Sequence, residues 1–437
     1  MASEVQTYRE IKSAISNPQA LVFGQGRYLP KKAAEMLKTF NKSIEFCCEG
    51  VVPRVVLSFQ KDGEAVEILS DHLSDERVKL LKSVCSPANF GLGERTVYDP
   101  EVRKAFSCDL RTLGVDLQGH DAVVKRTVLN SLYPHLEEGE VEMTPYRLNI
   151  YETGDFFKSH VDSVEDDRQL ASVVLCLPFP HTGGVLTVDS SNSEISSRAV
   201  ELCQEPGSSS VRWAAFYTDC LHEISPVTSG TRITLTFKVH LAAGATLERE
   251  FVPTPEPKLF IEEEFQFLKN PVEHELFKNP VGTIARDTLK DDRQETRGSA
   301  PVRFNYPVLD FLWKLRGPDG VGLICTHLYN AVPLKPAMLK GVDRVLFKAL
   351  DGFFEVHIIS VVLTIKVDWG DVDTYVKNMK VCSFDAIDPP KFAGEINFYT
   401  IGGKAELFDH SSDFAGNDGQ PAKYHYRTYA LVVLNRY

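Results

Sequence analysis

His160 and Asp162 stand two residues apart, and His222 follows 60 residues after Asp162. Two imidazoles and one carboxylate are the donor set of an open facial metal site, which leaves positions for substrate and oxygen. At a strand end, side chains two apart project to the same side, so the first pair can grip one ion. These donors suit Fe(II), and Zn(II) or Mn(II) can use the same ligands. Ten residues after His222, past the turn Pro226-Val-Thr-Ser-Gly230, Arg232 opens the next strand. A buried guanidinium takes a carboxylate as a two-pronged fork. Thr234 shares a strand face with Arg232 and adds a hydroxyl to the same carboxylate, and Tyr151, just before Gly154, offers a phenol. Each has a plain alternative: a chance His-x-Asp, a core histidine, a surface arginine. Their weight comes from occurring together, in order, around the turn His181-Thr-Gly-Gly184. His181 and His240 read as rim or structural groups, and His327, His410 and His425 lack a carboxylate at ligand spacing.

The segments around these residues are patterned as short strands. Val173–Leu177 is a continuous apolar run bounded by prolines, Val185–Val188 follows the glycine pair, and Val211–Tyr217 is apolar and aromatic. Thr231–Leu241 alternates, with Ile233, Leu235, Phe237 and Val239 on one face and Thr234, Thr236, Lys238 and His240 on the other. Short strands with closely spaced turns predict a β-sandwich or double-sheet barrel. Upstream, helical spacing predicts helices over 31–41, 74–84 and 127–136, the second capped by Ser74. The Val/Leu-rich stretch from Arg54 to Gln60, with Gly63 after it, predicts a hairpin. Asn89–Thr96 carries Gly91 and Gly93 but lacks the third glycine and following helix of a phosphate loop, so it reads as a loop bordering the site. Small residues and three alternating prolines mark 243–258 as a linker. This divides the chain into an N-terminal α/β extension (1–88), a β domain holding the site (89–242) and a β-rich C-terminal domain (259–437). The last of these is expected to contain helices over 306–315 and 343–350, and a degenerate second copy of the β domain would fit its length.

The bulk composition narrows the classes. A chain of 437 residues that is 43% hydrophobic and 25% charged can bury a sizeable core. No apolar run approaches the ~18 residues of a membrane span, and the first residues show no secretory leader. The nine cysteines include no Cys-x-x-Cys pair, which favours a reducing cytoplasmic or nuclear setting. The net charge of −12 disfavours a nucleic-acid partner.

The set Tyr151-x-x-Gly154-x-x-Phe157-x-x-His160-x-Asp162, Gly183-Gly184-x-Leu186, His222 and Arg232-x-Thr234 resembles the prolyl 4-hydroxylase-like group of 2-oxoglutarate/Fe(II) dioxygenases. The resemblance implies an α+β, mainly β protein with a double-stranded β-helix (jelly-roll) core and flanking helices. It implies His160, Asp162 and His222 as iron ligands, Arg232 as the partner of the 2-oxoglutarate C5 carboxylate, and Tyr151 as a further co-substrate contact. The implied cofactors are Fe(II), 2-oxoglutarate and O2, with ascorbate in support. The implied reaction hydroxylates a C–H bond, of a protein or peptide side chain with proline among the candidates, and releases succinate and CO2. A nucleic-acid demethylase or modified-base oxidase, a small-metabolite hydroxylase and a non-catalytic binding module are the competing readings. Asp162 argues against a halogenase, which leaves that ligand position open. Many members of the group have Lys at the Arg232 position, and the Tyr often found at the Phe157 position is absent. The wording Phe90-Gly-Leu-Gly-Glu-Arg-Thr-Val97, Ala215-Phe-Tyr-Thr-Asp-Cys-Leu-His-Glu223 and Gly416-Asn-Asp-Gly419 is similar to a set of larger eukaryotic dioxygenases, which usually have Glu at the Asp418 position.

Overall fold

Seven strands carry or flank the residues singled out above: Val141–Tyr151 (β1), Phe156–His160 (β2), Gln169–Cys176 (β3), Leu186–Asp189 (β4), Val211–Tyr217 (β5), Leu221–Ile224 (β6) and Arg232–Leu241 (β7). They are described in a computed structural model that covers residues 24–28, 45–92, 95–190, 197–202, 209–245, 321–331, 333–351, 354–365, 379–382, 397–400, 415–416 and 428–434. The protein is mainly β. One antiparallel sheet runs in the order Cys47–Val52, β5, β3, β7, β1, Phe106–Asp109, Ser86–Pro87. A second runs Ser197–Val200, β4, β6, β2, Arg103–Lys104.

All ten residues of β7 are buried. Its apolar residues Ile233, Leu235, Phe237 and Val239 belong to the same core as Val124, Val128, Leu129 and Leu132 of the helix Asp121–Leu132. Its polar face looks across to the other sheet. Asn149 Nδ2 of β1 donates to Thr236 Oγ1 at 3.5 Å, and Asn149 Oδ1 accepts from Arg103 Nη2 of the second sheet at 2.7 Å. A polar stripe between sheets persists only when its groups are hydrogen-bonded. Alternation in β7 is thus a division between an apolar core and a polar interior, not between core and solvent.

The helices follow their local signals. The helix Asp75–Lys82 (α1) starts at Ser74, whose hydroxyl accepts from Arg77 N, with Lys79 exposed. Asp121–Leu132 (α2) begins six residues before the start expected at 127 and ends four before 136. Its end has a local cause: Tyr133 precedes Pro134 and leaves the helical region, with φ −136° and ψ 58°. The hairpin pairs Val56–Lys61 with Glu64–Leu69 through Asp62 and Gly63, both at positive φ. The helices expected over 31–41 and 306–315 and most of the linker lie outside the described residues.

Towards the C-terminus, six strands close into a barrel in the order Gly24–Tyr28, Met379–Cys382, Glu355–Ile365, Thr428–Leu434, Val321–Ile324, Asn397–Thr400. Segments from the first 88 residues therefore enter both units: Gly24–Tyr28 joins the barrel and Cys47–Val52 edges the larger sheet. The helix Gly341–Asp351 (α3) lies between them, and Val342 and Leu346 share one apolar core with Tyr217 and Leu132.

Asn89–Thr96, expected as a loop, is instead a pair of short strands, Phe90–Leu92 and Arg95–Val97. Ala415–Gly416 adds a third strand, opposite Leu92 and Gly91. Two motifs far apart in sequence thus meet in one small sheet, and it does border the site. Asn89 O accepts from Arg103 Nη1 at 2.8 Å, and the Phe90 and Phe157 rings are 6.5 Å apart.

Candidate metal and co-substrate site

His160 is the last residue of β2, and its partner across the sheet is His222 of β6. The third position of the donor set is therefore a cross-strand neighbour of the first. The two imidazole centroids lie 4.2 Å apart. Asp162 lies two residues beyond the strand end, and its Oδ1 is 3.7 Å from His222 Nε2. One donor atom from each of the three buried residues falls within 4.8 Å of the others. Among the described residues this is the one such cluster of metal-capable side chains.

Hydrogen bonds set which ring nitrogen faces the cluster. His160 Nδ1 lies 2.8 Å from Lys158 O, and His222 Nδ1 lies 3.0 Å from Cys220 O. A carbonyl only accepts, so each Nδ1 carries a proton and Nε2 is the nitrogen turned towards the cluster. His160 Nε2 is buried with no partner. Burial, then the adjacent His222, holds the His160 imidazole well below its ordinary pKa, in the neutral form. Neutral imidazoles beside a carboxylate are what a divalent cation requires, and an orphaned inward lone pair is what its arrival would satisfy. The residues fit an Fe(II) ion.

Neighbouring groups hold the donors in place. Ser172 Oγ of β3 donates to Asp162 Oδ2 at 2.5 Å. Phe157 stacks on His160 at 3.5 Å and 21°, and Phe216 lies 4.7 Å from His222. The Arg103 guanidinium sits 4.5 Å from the Phe157 ring. A phenylalanine at 157 therefore serves as a packing plate for a donor. Beyond Asp162, the buried Lys238 ammonium donates to Ser163 O at 3.1 Å and lies 3.6 Å from Glu165, which ties down the loop.

Arg232 begins β7 directly opposite Tyr151 of β1. It is 1% exposed, and its Nε and Nη2 have no hydrogen-bond partner. Buried guanidinium N–H groups left unpaired are costly, and such a fork is able to take an anion as a two-pronged pair. The Tyr151 ring lies 5.6 Å from the guanidinium carbon. Thr234, also buried, lies on the same face, across from Asn149 and Cys176.

The glycine pair makes room for the fork. Gly184 has φ +63°, and a Cβ there would come within 2.7 Å of Arg232 Cδ and 3.1 Å of Val227 Cγ2. Gly184→Ala is expected to destabilise the protein by about 1–2 kcal/mol from the left-handed backbone alone. It is also expected to displace Arg232, raising the 2-oxoglutarate concentration needed for turnover. Thermal unfolding and a 2-oxoglutarate titration would read the two effects. A variant with unchanged co-substrate dependence would show that Arg232 does not rely on this approach.

The structure thus gathers His160, Asp162 and His222 in one cluster and places Arg232, Thr234 and Tyr151 together at the start of β7. Ser172, Asn149 and Arg103 are further members of the interior that sequence reasoning passed over. Ser172 carries a faint signal as the one hydroxyl inside the apolar run Leu170–Leu177. Nothing local distinguishes Arg103 from a surface arginine.

A mainly-β protein thus brings together two buried histidines, a carboxylate and a buried arginine with unpartnered Nε and Nη2, a set able to hold a divalent metal beside an acidic ligand. Residues 146–240 match the family model described as the 2OG-Fe(II) oxygenase superfamily, which marks this segment as a 2OG-Fe(II) oxygenase domain. The family uses Fe(II), 2-oxoglutarate and O2. No curated protein matches the sequence. Among solved structures, a Pseudomonas putida prolyl-4-hydroxylase matches at 18% identity and a TM-score of 0.30, covering 48% of this chain and all (100%) of its own. A Trichoplax adhaerens prolyl hydroxylase, bound to a hypoxia-inducible-factor peptide fragment, matches at 13% identity and a TM-score of 0.30, covering 48% of this chain and 91% of its own. The collagen prolyl hydroxylase of Paramecium bursaria Chlorella virus-1 matches at 14% identity and a TM-score of 0.26, covering 45% and 97%.

Proposed function

We propose that this dioxygenase hydroxylates a C–H bond of a protein side chain, with His160, Asp162 and His222 as its iron ligands and Arg232 as the anchor of 2-oxoglutarate. The observation that carries the assignment is the pairing of two orphaned features: an inward, unpartnered His160 Nε2 and an unpartnered Arg232 fork, both buried. We read the two sheets as the double-stranded β-helix core that the resemblance implies, and the C-terminal barrel as a non-catalytic unit. Iron held there with 2-oxoglutarate would use O2 to hydroxylate the substrate C–H bond, one oxygen atom going to the substrate and the other to succinate as CO2 is released.

The remaining work falls to the chain itself. Ser172 orients Asp162, and the carbonyls of Lys158 and Cys220 fix the tautomers of the two histidines. Phe157 and Phe216 pack on their rings and exclude water. Arg232 and Thr234 receive the far carboxylate of the co-substrate, and the Tyr151 phenol adds a hydrogen bond to it. A protein substrate is supported by the motif resemblance and by a net charge of −12, which would repel a nucleic-acid backbone. A cytoplasmic or nuclear setting follows from the scattered cysteines. Among the described residues, no helix is long and apolar enough to cross a membrane.

The test is Fe(II)-dependent succinate release from 2-oxoglutarate, measured with a peptide library and with single-stranded oligonucleotides. Stimulation by peptides, with a mass gain of one oxygen, is the expected result. Stimulation by oligonucleotides alone would overturn the substrate class, and no Fe(II)-dependent release would overturn the reading as a whole.

A further inference from the structure

In the C-terminal unit, His327, Leu328 and Asn330 of the stretch Thr326–Asn330 lie against the chain segments that carry the metal-site donors. Leu328 packs with Val161, Val164 and Leu221 in a small apolar cluster separate from the main core. Val161 stands between His160 and Asp162, and Leu221 immediately precedes His222. Neighbours on an extended chain project to opposite sides, so this cluster lies behind the donors. Asn330 Nδ2 donates to Asp166 O at 2.6 Å, holding the loop beyond Asp162.

Two of these residues, His327 and Leu328, also meet Asp219, three positions before His222. Asp219 is fully enclosed: its Oδ1 accepts from Lys340 Nζ at 2.7 Å, and its Oδ2 accepts from His327 Nδ1 and from Leu328 N, each at 3.0 Å. Lys340 Nζ also donates to Leu328 O at 2.9 Å, which closes the ring of bonds. Burial pushes the Asp219 carboxyl up, but Lys340 and His327 outweigh it and hold the group below the usual carboxylate range. Next to it, Tyr217 Oη donates to Leu132 O at 2.8 Å and accepts from Gly341 N at 3.2 Å. The end of β5 and the turn after it are thus bonded to the C-terminal unit through Tyr217 and Asp219. This turn sets where His222 stands relative to His160.

We propose that Thr326–Asn330, with Lys340, is a brace that positions the metal site, so that the C-terminal unit is a working part of the oxygenase centre. Leu328 and Lys340 are positioning residues: they touch neither metal nor co-substrate and act through Asp219, Leu221 and Val161. This rests on the assignment of His160, Asp162 and His222 as metal ligands.

The experiment is Mn(II) titration of the full-length apoprotein, followed by the electron paramagnetic resonance signal of free Mn(II), alongside thermal unfolding. Leu328→Ala is expected to weaken Mn(II) binding about ten- to a hundredfold, the range for groups that orient metal ligands. Leu328→Met, which refills the cluster, is expected to recover most of it. Lys340→Gln should act in the same direction. If it does not fold, as removal of one partner of a buried ion pair can cause, Leu328→Ala still decides the matter. The control is Ile324→Ala, in the barrel and buried, which should lower the unfolding temperature yet bind Mn(II) like wild type. Wild-type affinity in folded Leu328→Ala, or a loss no larger than in Ile324→Ala, overturns the brace. Failure of the wild type itself to bind Mn(II) overturns the ligand assignment, a separate outcome.

Discussion

Asp162→Ala and His160→Ala are each expected to reduce Fe(II)-dependent succinate formation by more than a hundredfold in folded protein. Removing a group that merely orients a ligand costs about ten- to a hundredfold, and removing the ligand itself should exceed that. The two variants fail for different reasons. Asp162 supplies the only negative charge among the three donors, and its loss leaves the Ser172 hydroxyl without its acceptor. His160 supplies a lone pair already stripped of water, so its loss removes a donor that costs nothing further to desolvate. Both should remain folded, because Phe157 and the cluster of Val161 and Val164 still close the region. Mn(II) offers a check independent of turnover. Wild type at a hundredfold excess of Mn(II) over its dissociation constant should gain about 2.7 kcal/mol of stability, and the variants should gain almost none. Variants that turn over 2-oxoglutarate as wild type does would remove these residues from the metal site.

The second large effect concerns Arg232. Arg232→Ala leaves the co-substrate carboxylate to enter a buried position with no opposite charge. Truncating one partner of a buried, hydrogen-bonded charge pair costs about 2–5 kcal/mol. At about 1.4 kcal/mol per tenfold, the 2-oxoglutarate KM should rise roughly 30-fold to several-thousand-fold. The apoprotein should tolerate the change well, because two guanidinium nitrogens that were buried without partners are removed with it. That combination, weaker co-substrate binding without lost stability, separates a binding residue from a structural one. Arg232→Lys keeps the charge but not the planar fork, and should recover part of the affinity. A KM that stays at the wild-type value in Arg232→Ala would place the anchor elsewhere.

These expectations draw on residues of uneven legibility. His160 and Asp162 were readable because their spacing alone puts two donors on one side of a strand end. Arg232 and Thr234 were readable because the turn after Pro226 places them at a strand start, on one face. The N-cap at Ser74 and the Asp62-Gly63 hairpin were equally local. By contrast, α2 was misplaced by six residues at its start, since its first turn, Asp121-Ala-Val-Val, has only a weak helical signature. Asn89–Thr96 looked like a loop because its strands are three residues long and its third partner, Ala415–Gly416, lies more than 300 positions away.

The sequence by itself determined the donor types, their order and the alternation that puts Arg232 and Thr234 on one face. Those properties repeat every two residues along a strand and need no knowledge of the rest of the chain. Tertiary structure alone decided that His222 stands opposite His160, that Ser172 of the other sheet holds Asp162, and that Leu328 and Lys340 press on the turn before His222. Which strands become neighbours is settled by the packing of the two sheets and by burial of charges such as Asp219 against a partner from the distant C-terminal unit. Such pairings are chosen by the free energy of the whole packed interior, and a local stretch of sequence does not contain it.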